Sequence, residues 1–472
     1  MDLPALLPDN VLADVLRRLP PCGLAAARSV CTAWRTAIDD RRLLRVDLLP
    51  HSLAGILINF PCTSITDFFS RPSTDPSISG KHVDYLPESS GKRSWSTIIG
   101  HCNGLLLLYH YVLNPATRRC DPLPPEPILM ETKDRYEQWY LAYDPTVSPH
   151  YQVFLIPRFH PMSSRGDQID PVRERSEWPP SPCILNVFSS AAGRWEERSF
   201  AREGEPAGST IADMRLDQRC CPGRYAVCWR RSLYVHCQTN FVMRISLSND
   251  TYRVIESPPG AKGDRYHLEL LLGKSEKGVY CTLRRGDYSF QVWLLEESSC
   301  RTQWVPRHEM DLLALFLKPN PESTRRVGSP KQHPHGPWIL QDIDYYYEYN
   351  EEDYYEYSEE DDEEDDMGTP LQDEELEWSS EASDDDGMCD CSSNYDNNGN
   401  ARDTYDGDVS ILGFHPFREI VFINYDFRRG LAYHLNTSKV EDLGNIYSES
   451  LDCVPPNGMH IRSSFPYTPC WV

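Results

Sequence analysis

The stretch LLPDNVLADVLRRLPPCGLAAARSVCTAWRTAIDDRRLLR, residues 6–45, combines helical patterns with more apolar side chains than so short a segment can bury. Its first helix is predicted to begin near Asp9, because Pro8 has a φ angle suited to a helix start and Asp9 can cap the free amides that follow. Apolar residues from Val11 to Leu19 then recur with helical spacing until a pair of prolines ends the pattern.

A second helical pattern runs from Leu24 to Ile38, with a break expected near Cys31. Two or three helices in about 40 residues are only marginally stable without partners. The surplus apolar surface is covered either by another protein or by the rest of this chain, and periodicity alone leaves both open. Docking is energetically reasonable, since four or five side chains at roughly 1.5 to 3 kcal/mol each are comparable with the roughly 4 to 15 kcal/mol that association costs.

This stretch resembles an F-box, the docking motif of substrate receptors in cullin-RING ubiquitin ligases. The resemblance lies in two Leu-Pro pairs, Leu7-Pro8 and Leu19-Pro20, and in the Val-Cys-x-x-Trp motif that ends at Trp34. It implies that residues 1–48 form a helical module that binds a Skp-type adaptor and, through it, a cullin. The adaptor contacts implied by the resemblance are Leu7, Pro8, Leu12, Val15, Leu19, Pro20, Leu24, Val30 and Trp34.

The net charge of −24 belongs to one segment of the chain and not to its whole length. Residues 342–408 contain 28 acidic residues against one basic residue, Arg402, which leaves 43 acidic and 46 basic residues elsewhere. Such a segment buries too little apolar surface to repay its chain entropy, so we expect a disordered insertion. It is interpreted as a solvating loop, a docking site for a basic partner, or a phosphorylated switch at Ser358 and Ser383, each followed three residues later by an acid.

Cysteine usage and hydropathy favour a soluble intracellular protein, expected in the cytoplasm, the nucleus or both. The sequence contains no run of 18 apolar residues, and its first residues lack the features of a signal peptide. The 16 cysteines form no CxxC pair or repeated framework, so most are expected to be buried thiols rather than zinc ligands. No metal and no cofactor are expected.

From Gly100 onward one unit recurs: an apolar strand, a tight turn, and a second strand that opens with an aromatic or apolar anchor. The turns contain Asn-Pro, Ala-Gly or Asn-Asp, which suit short hairpin connections. The anchors of five copies are Cys120, Trp195, Tyr252, Trp304 and Val440. With the strand pairs between copies, about four strands fall in each repeat of roughly 50 residues, which is typical of a β-propeller.

We therefore predict an α+β multidomain chain, with a small N-terminal helical module followed by an all-β propeller that the disordered acidic insertion interrupts. Residues 49–99 are expected to be a linker with the first irregular strands. The first part of the propeller is assigned to residues 100–341, the insertion to 342–408, and the final part to 409–472. A pair of irregular β-sandwiches is the rival architecture.

The predicted β domain also resembles a family, the kelch-like F-box-associated β-propeller domain of plant F-box proteins of the grass type. The strings that carry this resemblance are CNGLLLL, NPATRR, LAYDPTVSPHYQVFLIP, VFSSAAGRWEER, GKSEKGVY and GFHPFREIVFINY. The resemblance implies that the propeller presents a protein client.

Motifs for catalysis and for nucleic-acid binding are weak. The sequence has no GxSxG, HExxH or phosphate-binding loop, and His333 and His335 form a close pair without a third ligand at suitable spacing. Arginine pairs are dispersed among aromatic residues, and the chain outside the insertion is nearly neutral, so nucleic-acid binding is not expected. These pairs are Arg173 and Arg175, Arg230 and Arg231, Arg284 and Arg285, and Arg428 and Arg429.

The resulting hypothesis is a non-enzymatic substrate receptor of a Skp-cullin-F-box ubiquitin ligase. The helices would bind the Skp adaptor, and the propeller would bind a protein client. The alternative is a propeller interaction scaffold not linked to ubiquitination, in which the helices pack on the β domain.

Overall fold

The computed structural model describes most of the chain outside the acidic segment. The described residues are 9–19, 21–41, 43, 53–60, 66–71, 98–127, 135–161, 170–216, 226–259, 270–286, 288–298, 302–312, 338–341, 409–425, 429–446 and 461–470. The acidic insertion with Ser358 and Ser383, the His333 and His335 pair, and three of the expected adaptor contacts lie outside these ranges. Those three contacts are Leu7, Pro8 and Pro20.

Three helices form the N-terminal module: α1 (Asp9–Leu16), α2 (Pro21–Val30) and α3 (Thr32–Asp40). As expected, α1 begins at Asp9 and the second helical pattern breaks at Cys31, which separates α2 from α3. The helices share a core of their own, and this core explains why the apolar residues recur at helical spacing. Its buried members are Leu12, Ala13, Leu16, Leu24, Ala27, Ile38 and Leu43.

The rest of the described chain is mainly β-structure, with two further short α-helices and a 3-10 turn at Gln238–Asn240. The first half contains β1 (Gly55–Asn59), β2 (Thr66–Ser70), β3 (Gly100–Cys102), β4 (Leu105–Leu107), β5 (Tyr111–Asn114), β6 (Arg119–Pro122), β7 (Arg135–Ala142), β8 (Gln152–Phe159), α4 (Pro171–Glu174), β9 (Glu177–Trp178), β10 (Cys183–Ser189), β11 (Arg194–Arg202), β12 (Ser209–Thr210) and α5 (Ile211–Leu216). The second half contains β13 (Ala226–Trp229), β14 (Ser232–His236), β15 (Phe241–Ser246), β16 (Thr251–Glu256), β17 (Leu270–Ser275), β18 (Gly278–Arg284), β19 (Ser289–Glu297), β20 (Thr302–Asp311), β21 (Ile339–Gln341), β22 (Val409–Phe414), β23 (Ile420–Tyr425), β24 (Arg429–His434), β25 (Lys439–Asn445) and β26 (Ser463–Tyr467).

Of these 26 strands, 24 form six four-stranded antiparallel units, which we call blades 1 to 6, and β9 pairs with β12 in a separate two-stranded sheet. From the innermost strand outward, blade 1 is β26-β1-β2-β21, blade 2 is β3-β4-β5-β6 and blade 3 is β7-β8-β10-β11. Blade 4 is β13-β14-β15-β16, blade 5 is β17-β18-β19-β20 and blade 6 is β22-β23-β24-β25. The outer strands of blades 3 and 4 also pair in parallel, at Ala201 with Thr251 and Arg202 with Tyr252.

The innermost strands form a closed ring. Each contacts the next in the order β26, β3, β7, β13, β17 and β22, and β22 returns to β26. This is the arrangement of a β-propeller, in which radial repetition leaves only short sheet edges. Whether the domain is kelch-like remains a prediction.

The hydrophobic cores lie between neighbouring blades. Between blades 3 and 4, for example, Phe154 and Leu185 pack in one cluster with Leu233 and Met243. Corresponding clusters in the described chain lie between each of the other five pairs of neighbouring blades. Each blade therefore buries its two faces only when both neighbours are present, which makes the ring cooperative.

The anchors identified in the sequence occupy equivalent positions, because each lies at the start of the outermost strand of its blade. Two of them bind the preceding blade through the indole nitrogen. The Trp195 Nε1 donates to the Pro124 carbonyl at 3.0 Å, and the Trp304 Nε1 donates to the Glu256 carbonyl at 2.8 Å. The recurring aromatic residue therefore joins the outer rims of adjacent blades.

Candidate docking sites on the helices and the propeller

Helix α1 exposes two valines that the helical core does not use. Val11 and Val15 are 44% and 51% exposed, and they lie one turn apart on the same side of the helix. Val30, the last residue of α2, is 64% exposed. Exposed valines on a module with an already closed core constitute apolar surface available to a partner.

A cavity of about 380 Å³ opens between blades 4 and 5 of the propeller. One part of its lining is the β13–β14 turn with Trp229 and Arg230, and another part includes Lys277, the residue just before β18. Aliphatic side chains from both β18 and β19 also line it. Its volume is near the lower end of the roughly 300 to 1,000 Å³ of ligand pockets.

The turn beside this cavity has an unusual backbone. Arg230 and Arg231 occupy its two central positions with φ angles of 46° and 60°, in the left-handed region where glycine or asparagine is usual. Left-handed backbone costs roughly 1 to 2 kcal/mol for each such residue. The Arg230 guanidinium carbon lies 5.6 Å from the centre of the Trp229 ring, which is cation–π distance. A strained turn that places an arginine on an indole beside a cavity is a candidate recognition element.

The acidic residues of the cavity are paired within the propeller. Glu296 binds the Arg307 guanidinium at 2.7 Å. Glu297 accepts a hydrogen bond from the Tyr234 hydroxyl at 2.6 Å, and burial raises the pKa of that tyrosine well above its ordinary value. Lys277 is also in an ion pair, with Glu419 at 3.6 Å, so Arg230 is the charged side chain of the lining best placed to meet an acidic group.

Comparison with protein families decides the nature of the helical module. A family model described as the F-box domain matches residues 5–46.

The chain carries an F-box domain.

The F-box domain implies a substrate-receptor role in a Skp-cullin-F-box ubiquitin ligase, with binding to a Skp1-type adaptor. F-box proteins are generally non-catalytic adaptors in these complexes. The chain is also homologous to F-box proteins of Arabidopsis thaliana along part of its length. It is 22% identical over 311 residues to F-box protein At3g07870, covering 63% of this chain and 71% of that protein.

Two further relatives from Arabidopsis thaliana match shorter parts of the chain. Putative F-box protein At3g17480 is 28% identical over 157 residues, which cover 30% of this chain and 39% of the relative. Putative F-box protein At5g52610 is 24% identical over 182 residues, which cover 37% of this chain and 48% of the relative. The chain thus spans less than half the length of these two proteins.

The expected adaptor contacts occupy three kinds of position in the F-box domain. Leu12 and Leu24 are buried in the helical core, where they hold the helices together. Leu19 and Trp34 are partly buried and pack against that core. Val15 and Val30 are exposed, and Val11, which was not among the expected contacts, joins them on the outside. The i to i+4 spacing of Val11 and Val15 is the sequence signal that pairs them.

The described members of the arginine pairs belong to four different blades and do not form one basic stripe. Arg173 and Arg175 flank the end of α4 in blade 3, whereas Arg285 of blade 5 donates to the Gln291 side chain at 3.0 Å. Arg429 of blade 6 forms an ion pair with Asp442. From these pairs, the lining of the cavity includes Arg230.

Two other kinds of site are a metal centre and a membrane-spanning helix. In the described ranges, no three His, Cys, Asp or Glu side chains are grouped so that they could hold a metal ion. No described helix has both the length and the hydropathy needed to cross a bilayer.

Proposed function

We propose that this protein is the substrate-receptor subunit of a Skp-cullin-F-box ubiquitin ligase, acting in the cytoplasm, the nucleus or both. The outer face of its F-box helices binds the Skp-type adaptor, and its propeller binds a protein client. The observation that carries the proposal is an F-box domain with a closed core and exposed valines, followed on the same chain by a propeller with separate cores.

The exposed valines supply part of the adaptor affinity. Full burial of an aliphatic side chain stabilises by about 1.5 to 3 kcal/mol, so completing the burial of Val11, Val15 and Val30 contributes about 2 to 5 kcal/mol. Association costs about 4 to 15 kcal/mol, so further contacts are required. The partly buried Leu19 and Trp34 are candidates within the described domain, and Leu7, Pro8 and Pro20 remain expected contacts.

Binding to the adaptor is tested with the double variant Val11→Asp and Val15→Asp in the full chain. We expect at least about a 30-fold loss of adaptor affinity, because two charged groups replace apolar contacts worth about 2 kcal/mol or more. The matched control is Val172→Asp, another exposed valine on the short helix α4, which should leave the affinity unchanged. Unchanged adaptor binding by the double variant would favour a scaffold outside ubiquitination.

Client binding is assigned to the cavity between blades 4 and 5. Its size admits one or two side chains, so the client is proposed to insert an acidic side chain beside Arg230 while its backbone lies across the propeller face. The receptor only positions the client. Ubiquitin transfer is accelerated because the client is held near the component of the ligase that carries ubiquitin.

Proximity labelling with and without proteasome inhibition tests this arm. Neighbours that accumulate on inhibition are clients, and Arg230→Glu should remove them while the adaptor is retained. Arg175→Glu, an exposed arginine on blade 3, is the control that should keep them. Equal client labelling by both variants would exclude the cavity as the client site and leave the adaptor arm standing.

A further inference from the structure

A lysine ammonium group lies at the axis of the propeller. Lys274 is in β17 of blade 5, and its ammonium group donates to the side-chain oxygen of Asn103, in the turn that follows β3 of blade 2. Blades 2 and 5 are opposite each other in a ring of six, so this hydrogen bond crosses the axis. A cation and an amide from opposite blades therefore occupy this end of the axis.

The Asn103 side chain is fixed by a third blade. Its Nδ2 donates to the Tyr143 carbonyl at 2.5 Å, and Tyr143 directly follows β7 of blade 3. The backbone of Asn103 has a φ of 47°, in the left-handed region that asparagine tolerates better than most residues. The Asn103 oxygen is therefore held toward the Lys274 ammonium by the fold itself.

The positive charge of Lys274 is not neutralised by the described part of the chain. Lys274 is partly buried, and its hydrogen-bond partner is a neutral amide. The carboxylate of Asp144, next to Tyr143, instead accepts from the Thr146 amide at 3.0 Å and hydroxyl at 2.6 Å. Burial and the Lys274 ammonium lower the pKa of His101 to about 4, so this imidazole is neutral at physiological pH. A cation in such surroundings attracts an anion more strongly than a cation in water does.

Lys277, three residues further along the chain, shows the contrast. Its ammonium group lies 3.6 Å from the Glu419 carboxylate of blade 6. The same carboxylate accepts from the Tyr280 hydroxyl, with oxygen–oxygen distances of 2.8 and 2.9 Å. The Lys277 charge is thus satisfied by a contact between blades, which is the arrangement expected of a lysine with a purely structural role.

Lys274 also lies beside the cavity between blades 4 and 5. It pairs with Val279 across β17 and β18, and Val279 lines the cavity. Leu272, two residues before Lys274, packs in the cluster between blades 4 and 5, so the Lys274 side chain leaves β17 on the side of the cavity. Arg230 lines the cavity from blade 4. Lys274 and Arg230 are therefore two cations of one continuous surface.

We propose that the client is an acidic peptide that binds through two carboxylates, one beside Arg230 and a second on Lys274 at the propeller axis. This inference rests on the proposed function, to which it adds the axial position. The Asn103 oxygen orients the ammonium group but cannot neutralise its charge, whereas a carboxylate does both. A hydrogen bond between two charged groups is roughly twice as strong as a neutral one. Two separate anchors also fix the direction in which the peptide crosses the propeller face.

The first test selects peptides from a random display library on the full chain, immobilised through its bound Skp-type adaptor. We expect the enriched peptides to carry acidic residues at two positions of fixed separation. In Lys274→Met, enrichment of the acid at one position should fall at least about 10-fold while the other persists, and Arg230→Glu should affect that other position. Lys439→Met, an exposed lysine on the outermost strand of blade 6, is the control that should retain both.

The outcomes separate this inference from the proposed function. Selection of a single acidic position that depends on Arg230 would overturn the axial position and leave the cavity as the client site. Two acidic positions that persist in Lys274→Met would overturn it as well. Peptides without acidic residues would exclude the acidic client altogether, while adaptor binding by the same preparation would still support the ligase subunit.

The second test measures the affinity of the best peptide by fluorescence anisotropy and compares it with a peptide in which an amide replaces the axial carboxylate. Lys274→Met should weaken the acidic peptide at least about 10-fold and the amide peptide less than about 2-fold. Asn103→Asp should cause the same loss, because its own carboxylate would bind the Lys274 ammonium, and it serves if Lys274→Met fails to fold. Equal effects on both peptides would refute the proposal and leave Lys274 a structural role.

Discussion

The turn at Asn103 and Gly104 allows a direct test of how the propeller ring is closed. Gly104 has a φ of 90°, and a Cβ placed on it would lie 2.5 Å from the Cys470 Cβ and 2.7 Å from the Thr468 carbonyl oxygen. These atoms belong to the segment that follows β26, the strand that completes blade 1. Gly193 has a φ of 67°, but nothing lies within 4 Å of the position that a Cβ would take there.

The comparison of Gly104→Ala with Gly193→Ala separates backbone strain from steric conflict. Both variants force alanine into left-handed backbone, which costs about 1 to 2 kcal/mol. Gly104→Ala must also displace backbone atoms of the C-terminal segment, and such overpacking adds about 1 to 3 kcal/mol. We therefore expect Gly104→Ala to lower the free energy of unfolding by about 2 to 5 kcal/mol and Gly193→Ala by the strain alone.

The assay is urea unfolding of the purified full chain, followed by tryptophan fluorescence. The informative quantity is the difference between the two variants, since the strain is common to both and cancels. Equal losses of stability would show that residues 468–470 do not pack on the Gly104 turn, and the account of ring closure would then be wrong.

Three further outcomes are expected. Burial raises the pKa of Glu137 to about 6, so the free energy of unfolding of the wild type falls as the pH rises from 4.5 to 6. In urea unfolding at pH 7, Glu137→Gln should therefore be more stable than the wild type by up to about 2 kcal/mol, and at pH 4 the two should not differ. Burial, with Arg418 nearby, lowers the pKa of His415 to about 4. The free energy of unfolding therefore falls as the pH drops from 6.5 to 4, by up to about 2 kcal/mol after allowance for solvent screening. In acid titrations, His415→Gln should lack this part of the fall. Deleting residues 461–472 removes the innermost strand of blade 1, so the soluble fraction on expression should collapse, whereas retained solubility would contradict the closed ring.

The local features of the fold were predictable because their causes lie close together in the sequence. The start of α1 at Asp9 and the break at Cys31 follow from residues within one or two helical turns. The anchors such as Trp195 and Trp304 identified the outer strands, because each is separated from its hairpin partner by a short turn.

Blade 1 was beyond local analysis. Its strands come from residues 55–59, 66–70, 339–341 and 463–467, so no repeat of fixed period crosses them. Strand β1 pairs with β26 at Gly55 with Tyr467, across nearly the whole length of the chain. Antiparallel pairing at such separation depends on ring closure, which no short sequence window contains.

The candidate sites divide in the same way. The apolar pattern of α1 predicted a helix whose apolar side chains either pack within the chain or bind another protein, but it could not tell which residues face inward. The fold places Leu12 in the core and leaves Val15 outside, because α3 packs on only one side of α1. Arg230 likewise stood in the sequence as one arginine of several, and the turn geometry beside the cavity singled it out.

The sequence by itself determined the F-box helices, the repeated hairpins and the location of the acidic segment, since each follows from spacing and composition over a few tens of residues. Only the tertiary structure decided that the β13–β14 turn with Arg230 lines a cavity with β18 and β19 of the next blade, and that the C-terminal strand completes the first blade. Both features depend on how the blades pack in the closed ring, because this packing brings together strands that are far apart in the sequence. No single segment of the sequence contains that information.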